Sequence, residues 1–271
     1  MAALGLWGAR RSGSLLIGAF FGVNSYGFSA HAIYFMMQRT DALAIALGVG
    51  SILCLWWRLS LVEKVGDYFG SLPLWRILCA AGLATFAALT KQTAIVFLPL
   101  AFLPGLFVLA GRKWLAVLNF FFAALLAAAI VGLYILLVNP DVLRAYQYGL
   151  EIYSREHSGN ILKYHLDAGF YPHYFMQLAV AAFFALTCAR RVKKSWFAFF
   201  GLAALVIGLA LYKTWGNGAA FNNNFIMSAL FATLLFFAFW PYWEKVERTL
   251  GAGLFLFLSL QSFAFGNGTT Y

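Results

Sequence analysis

Charged side chains are scarce in this chain of 271 residues, of which only 10% are Asp, Glu, Lys or Arg. A soluble domain carries about 25% charged residues. Because 63% of the residues are hydrophobic and the mean hydropathy is +0.81, too few polar side chains remain to cover a water-facing globule. This composition excludes a cytosolic dinucleotide-binding enzyme, a DNA-binding domain and a disordered segment. It predicts that lipid is the main solvent.

Cysteine is also rare, and its three positions, Cys54, Cys79 and Cys188, show no paired spacing. Such isolated cysteines within apolar runs indicate small packing residues and exclude a disulfide scaffold. Three histidines of one polar segment, His157, His165 and His173, are eight residues apart, which is not a zinc-ligand spacing on a helix. We therefore expect no metal and no cofactor.

Long apolar runs dominate what remains, and a helix needs about 20 such residues to cross a bilayer. The sequence predicts one all-α, polytopic transmembrane helix bundle over residues 1–271, with about nine spans. A cleavable signal peptide is the competing interpretation of residues 10–32, but the length of that run and the later spans favour a first span. The predicted spans are 14–37, 41–58, 74–90, 93–111, 114–138, 172–189, 195–212, 222–243 and 250–266.

Basic residues are distributed unequally between the two sides of this bundle. With a cytoplasmic N-terminus, thirteen of the 19 Lys and Arg residues lie on the cytoplasmic side, as the positive-inside rule requires. The net charge of +10 is therefore mainly a topology signal, and no nucleic-acid partner is expected. Eight tryptophans lie at the same cytoplasmic ends and are predicted to anchor there in the membrane interface: Trp7, Trp56, Trp57, Trp75, Trp114, Trp196, Trp240 and Trp243.

Two polar clusters separate consecutive spans on the opposite side, namely Gln38-Arg39-Thr40-Asp41 and Thr90-Lys91-Gln92-Thr93. A cation at the outer lipid boundary is suited to bind a phosphate, and a carboxylate there can orient the cation or accept a hydroxyl proton. The simpler alternative is that Arg39 and Asp41 form a local ion pair and that Lys91 reaches the headgroups. Both interpretations remain open from spacing alone.

Three segments resemble bacterial GT-C glycosyltransferases, the polytopic relatives of protein O-mannosyltransferases, over roughly residues 15–230. RTDALAIALGVGSILC is similar to the R-x-D-x-L-A helix start of that family. LATFAALTKQTAIVFLPLAFL is similar to its Ala-rich helix, Thr-Lys-Gln-Thr and following apolar helix. KTWGNGAAFNNNFIMSAL resembles its Gly-rich outer turn and following helix start.

The resemblance implies a GT-C-like fold and transfer of a sugar from a polyprenyl-phosphate donor to a lipid or glycan acceptor on the non-cytoplasmic face. Arg39, Asp41, Lys91, Gln92 and Asn224 match motif positions. The resemblance implies that Arg39 and Lys91 bind the donor phosphate. It also implies that Asp41 orients these cations or acts as the catalytic base, and that Gln92 and Asn224 bind substrate. The family's acidic first outer loop would lie upstream of anything in this sequence, and its motif glutamate is replaced by Met227. These departures imply a truncated or split product, or a divergent member without activity.

A polar segment at 139–173 is the longest predicted outer loop. Its residues Asp141–Tyr153 can form a short helix with Val142, Tyr146 and Tyr153 towards the membrane, either as a lid over the substrate or as part of a solvated loop. His165 is a further substrate-binding candidate within it.

Two alternatives come from other functional classes, a lipid-carrier flippase and a catalytically silent assembly subunit. Inverted repeats, which are common in transporters, are not visible in the sequence. The expected partners are the polyprenyl-phosphate sugar, its acceptor and membrane lipids. The expected location is a bacterial plasma membrane.

Overall fold

The computed structural model describes residues 2–19, 40–145, 147–148, 171–214 and 226–266. These residues form helices, turns and short connections, and no strand occurs among them. The all-α prediction is therefore confirmed for the described part of the chain. The α-helices are α1 (Ala2–Ser12), α2 (Thr40–Trp56), α3 (Val65–Gly70), α4 (Leu74–Thr90), α5 (Phe97–Ala110), α6 (Trp114–Leu137), α7 (Tyr171–Thr187), α8 (Lys194–Thr214), α9 (Ile226–Phe239) and α10 (Lys245–Gly266).

Two 3₁₀ helices complete the main elements, Gln92–Val96 before α5 and Trp240–Tyr242 after α9. Eight α-helices, α2 and α4 to α10, coincide with predicted spans to within about five residues at each end, and α4 has the predicted bounds of 74–90. Most of the predicted span 14–37 lies outside the described residues. One difference is at the predicted span 93–111, where the first turn is a 3₁₀ helix and α5 begins only at Phe97.

The chain divides into two compact units, each built from discontinuous segments. The first unit comprises Met1–Arg39, Gly159–Lys194 and Gly218–Tyr271, and the second comprises Thr40–Ser158 and Ser195–Asn217. In the first unit α7 packs on α9 and α10, while α1 contacts α9 and the second 3₁₀ helix. In the second unit α4 packs on α2, α5 and α6, and α3 packs on α5.

Helices α2 and α4 of the second unit are antiparallel. Near the end of α2, the backbone oxygen of Cys54 accepts a hydrogen bond of 2.6 Å from Nε of Arg76, at the beginning of α4. Halfway along α2, a Cβ at Gly50 would lie 3.4 Å from Leu83, in the middle of α4. Since the two helices run in opposite directions, the beginning of α2 and the end of α4 lie at the same end of this pair.

Helix α6 is the one described helix that is long and apolar enough to cross a membrane. Its 24 residues extend about 36 Å at 1.5 Å per residue. Six further apolar helices have only 10–17 described residues, and the nine-span bundle is not confirmed. One physical reason is the break at Lys91, which leaves α4 at 17 residues and α5 at 14.

The surface of α6 is apolar, and its buried side chains are Ala116, Phe120 and Ala123. Large side chains are exposed along its length, including Leu115 at 82%, Phe121 at 56% and Leu136 at 78%. Exposed apolar residues scattered singly are normal in a soluble protein, but a continuous apolar surface is the mark of a contact with lipid or another protein.

Candidate functional site

Lys91 lies at the junction between α4 and the first 3₁₀ helix. Its backbone is extended, with φ −152° and ψ 133°. Its N–H donates to the oxygen of Ala87, and its own oxygen accepts a hydrogen bond of 3.0 Å from the N–H of Ala94. The residue is half-buried. Lys91 is therefore held by backbone bonds on both sides, in the one extended position between two helices.

The neighbouring hydroxyl of Thr90 is used within α4, since it donates 2.7 Å to the oxygen of Phe86. The end of a helix carries partial negative charge on its last carbonyl groups, so a lysine at this position also stabilises α4. Lys91 therefore has a structural role in addition to any contact with a phosphate.

Asp41 lies in the first turn of α2, at the end of the α2–α4 pair where Lys91 ends α4. The antiparallel register thus brings the backbones of these two predicted site residues to one end of the second unit. A carboxylate in a first helical turn is favoured by the helix dipole. The side chains of Asp41 and Gln92 lie outside the described residues, as do Arg39, Asn224 and His165 entirely.

The beginning of the predicted outer loop folds locally. The backbone N–H of Asp141 donates 3.0 Å to Oδ1 of Asn139, and residues 142–145 are helical. Val142 is buried against the protein, whereas Tyr148 is 67% exposed. The ion pair of Arg144 with Asp141, 3.7 Å across, is open to solvent on both sides. The greater part of the loop, including the lid prediction for Tyr146 and Tyr153, lies outside the described residues.

The opposite end of the second unit was predicted to be cytoplasmic, and its polar groups are tied together through α3. The hydroxyl of Tyr68 donates 2.8 Å to the oxygen of Leu55, and Lys113 pairs with Asp67 at 3.0 Å. Nε1 of Trp196 donates 2.8 Å to the oxygen of Glu63. These bonds hold the end of α2 and the beginnings of α6 and α8 at one end of this unit.

Five of the eight tryptophans predicted as interface anchors are core residues in the structure. Trp7 and Trp196 are 0% exposed, and the ring of Trp196 packs among aromatic rings such as Phe199, with a centroid distance of 5.6 Å. The interface prediction is wrong for these residues because their indoles fill the ends of the helix bundles instead of facing outwards. Trp56, Trp240 and Trp243 are also buried, Trp57 is half-buried, and Trp75 and Trp114 are 62% and 66% exposed.

Three arginines of the first unit bind backbone oxygens where α9 ends, a role that the sequence did not reveal. Arg11 donates to the oxygens of Phe237 and Ala238, and Arg248 donates to those of Trp240 and Pro241. Arg191 donates 2.9 Å to the oxygen of Tyr242. The last carbonyl groups of a helix have no partner within it, so Arg11 satisfies two of those at the end of α9, while Arg248 and Arg191 bind oxygens of the 3₁₀ helix that follows. In the sequence, each of these arginines lies close to one end of an apolar segment. Counting charges on the two sides of the predicted bundle interprets them only as a topology signal.

Arg191 also joins two carboxylates, Glu244 at 2.5 Å and Glu247 at 2.6 Å. Partial burial opposes ionisation of Glu247, but hydrogen bonds from the backbone N–H of Glu244 and from the Arg191 and Thr187 side chains outweigh it. They hold the pKa of Glu247 below its ordinary value of 4.5. Glu247 precedes the predicted span 250–266, so this ion-pair network belongs to the polar end of the first unit.

Within the described ranges, no group of three or more His, Cys, Asp or Glu residues is arranged to hold a metal ion. Neither protein-family models nor curated proteins nor solved structures give a match to this chain.

Proposed function

We propose that the chain is a GT-C type membrane glycosyltransferase that transfers a sugar from a polyprenyl-phosphate donor to a lipid or glycan acceptor on the non-cytoplasmic face. The observation that carries the proposal is the register of α2 and α4, because it brings the position of Asp41 and the break at Lys91 to one end of the second unit. Membrane insertion with about nine spans and a cytoplasmic N-terminus is part of the proposal.

The exposed apolar length of α6 supports the membrane location, because water would solvate side chains such as Leu115 and Leu136 poorly. The polar bonding also agrees with the orientation. In each unit, the helix ends predicted to be cytoplasmic are joined by hydrogen bonds, through α3 in the second unit and around Tyr242 in the first. Asp41 and Lys91 lie at the other end of the α2–α4 pair, which the proposed topology assigns to the outer face.

The chemistry needs an acceptor hydroxyl that attacks C1 of the sugar while the bond from C1 to the phosphate oxygen breaks. The electron pair of that bond leaves with the polyprenyl phosphate, whose growing charge the ammonium group of Lys91 stabilises. Arg39 supplies a second cation with bidentate geometry. Asp41 accepts the hydroxyl proton or orients these cations. Gln92, Asn224 and His165 bind the sugar or the phosphate through hydrogen bonds.

Replacing Lys91 tests this proposal directly. In isolated membranes supplied with a labelled polyprenyl-phosphate sugar, Lys91→Ala is expected to lower transfer by about 100-fold or more, the usual loss when one group that stabilises transition-state charge is removed. Lys91→Arg keeps the charge and should retain part of the activity. Lys64→Ala is the matched control, because Lys64 is exposed at the opposite end of the same unit.

Equal transfer by Lys91→Ala and the native chain, at equal protein level, would remove Lys91 from the mechanism. If proteoliposomes move the labelled lipid across the bilayer but form no transferred product, the flippase hypothesis is favoured over the enzyme hypothesis. Absence of both activities from the purified chain would favour the assembly subunit.

A further inference from the structure

Basic residues at the predicted cytoplasmic ends fall into two groups that differ in bonding. Five are used inside the protein, where they bind backbone oxygens or carboxylates: Arg11, Arg76, Lys113, Arg191 and Arg248. The other eight are exposed, and their side chains have no hydrogen-bond or ion-pair partner within the described part of the chain: Arg10, Arg58, Lys64, Arg112, Arg190, Lys193, Lys194 and Lys245. The packing of the helices therefore does not explain the second group.

Four of the exposed cations are close in sequence to the side chains that bond around the end of α9 in the first unit, and we call Arg10, Arg190, Lys193 and Lys245 the basic rim. Each lies within two residues of a side chain in the network around Tyr242. Arg10 precedes Arg11, whose guanidinium lies 5.9 Å from the centre of the Tyr242 ring. Arg190 and Lys193 flank Arg191, and Lys245 follows Glu244.

The nearby carboxylates do not neutralise this rim. Glu244 and Glu247 both bind Arg191, and their two charges are further opposed by Arg11 and Arg248 at the same helix end. The basic rim therefore adds four positive charges to a network in which bound arginines already neutralise both carboxylates. Such a surface attracts anions.

Exposed apolar side chains begin next to each part of the rim. Leu6 is 57% exposed four residues before Arg10, and Leu186 is 61% exposed four residues before Arg190. In α10, Leu250 is 57% exposed one turn beyond Lys245. A cation above an apolar helix surface matches a phosphate group above an acyl chain. A nucleic acid or a soluble phosphate would not cover those leucines.

We propose that the basic rim binds the headgroups of anionic phospholipids in the cytoplasmic leaflet. Basic residues beside a membrane surface each add to the affinity for anionic lipids. The inference rests on the membrane insertion contained in the proposed function, and not on sugar transfer.

Thermal unfolding of the full chain in neutral detergent, with added phosphatidylglycerol or phosphatidylcholine, tests the inference. The native chain is expected to be stabilised more by phosphatidylglycerol, and salt at about 0.5 M should remove the difference by screening. The variant R10Q/R190Q/K193Q/K245Q should need about tenfold or more phosphatidylglycerol for the half-maximal shift. The swap R10K/R190K/K193R/K245R preserves every charge and should respond as the native chain does.

Soluble glycerol phosphate separates a lipid surface from a free anion, since it should give no shift at the same phosphate concentration. A full phosphatidylglycerol response in the four-glutamine variant, or a native response that salt does not alter, would overturn the inference. An equal shift with glycerol phosphate would also overturn it. Sugar transfer measured in the same preparations is a separate readout, so loss of transfer with an intact lipid response rejects the proposed function alone.

Discussion

At the scale of single residues, three arginines of this chain have bonding roles that charge counting does not predict. Arg11 donates hydrogen bonds to carbonyl groups at the end of α9, and Arg191 and Arg248 donate to carbonyl groups of the 3₁₀ helix that follows. A helix end also attracts positive charge through its dipole. Charge counting along the sequence treats all basic residues alike, so it gives a hypothesis about topology but no information about their partners.

Glu247 gives this residue network a predictable pH dependence. Because its pKa is lowered in the folded protein, its contribution to stability is present above the ordinary pKa and is lost as the pH falls through the folded value. Glu247→Gln should therefore lower the free energy of unfolding by up to about 1 kcal/mol at pH 7, the range of exposed ion pairs. Thermal unfolding between pH 7 and pH 3 measures this loss of stability. The difference in stability between the variant and the native chain should shrink below pH 4.5.

Glu63→Gln is the matched control, because this carboxylate is exposed and only its backbone oxygen is bonded, to Trp196. A loss of stability in Glu247→Gln that is equal at pH 7 and pH 3 would contradict the ion-pair explanation.

At the scale of elements, close helix contacts depend on glycines beneath large rings. A Cβ at Gly48 in α2 would overlap the ring of Phe97, which is only 2% exposed and has little room to move. In the first unit, a Cβ at Gly8 would lie 2.6 Å from the ring of Phe237. These glycines permit contacts that even alanine would prevent.

Gly48→Ala should destabilise the second unit by about 1–3 kcal/mol, because the added methyl group overpacks α2 against Phe97. Gly132→Ala in α6 is the matched control, since a Cβ there meets no atom within 4 Å. It should be neutral or stabilise by up to about 1 kcal/mol through helix propensity. Thermal unfolding in detergent compares the two, and equal effects would show that Phe97 does not limit this position.

The sequence could predict the positions of the helices but not their contacts. Apolar runs give α4 its bounds because a helix continues until polar residues or breakers interrupt it. The extended backbone of Lys91 and the ring of Phe97 against Gly48 depend on tertiary packing, which a single sequence does not display. For the candidate site, the sequence motifs predict Lys91 and Asp41 as site residues, and the antiparallel register of α2 and α4 shows that their backbones lie at one end of the pair.

At the scale of the whole molecule, each unit independently joins the helix ends that charge counting assigned to the cytoplasm. In the second unit α3 contacts the end of α2 and the connection before α6. In the first unit the end of α7 and the beginning of α10 meet through Arg191. The proposed alternating spans would group polar ends in this way.

Cysteine labelling in cells tests this topology, in a background with Cys54, Cys79 and Cys188 replaced by alanine. Lys64 and Arg144 are both exposed in the second unit, but the proposed orientation places them on opposite sides. A membrane-impermeant maleimide should label Arg144→Cys in intact cells, and Lys64→Cys only after permeabilisation. Labelling of both without permeabilisation would contradict the alternating topology.

The unequal burial of the tryptophans gives the molecule its own fluorescent reporters. Trp7 and Trp196 are closed off from the surroundings, whereas Trp75 and Trp114 are mostly exposed. A quencher carried on lipid acyl chains near the interface would reach the second pair first, whereas emission from the first pair follows the integrity of the aromatic packing. Comparing quenched with unquenched emission therefore separates the contact with solvent or lipid from the state of the folded interior.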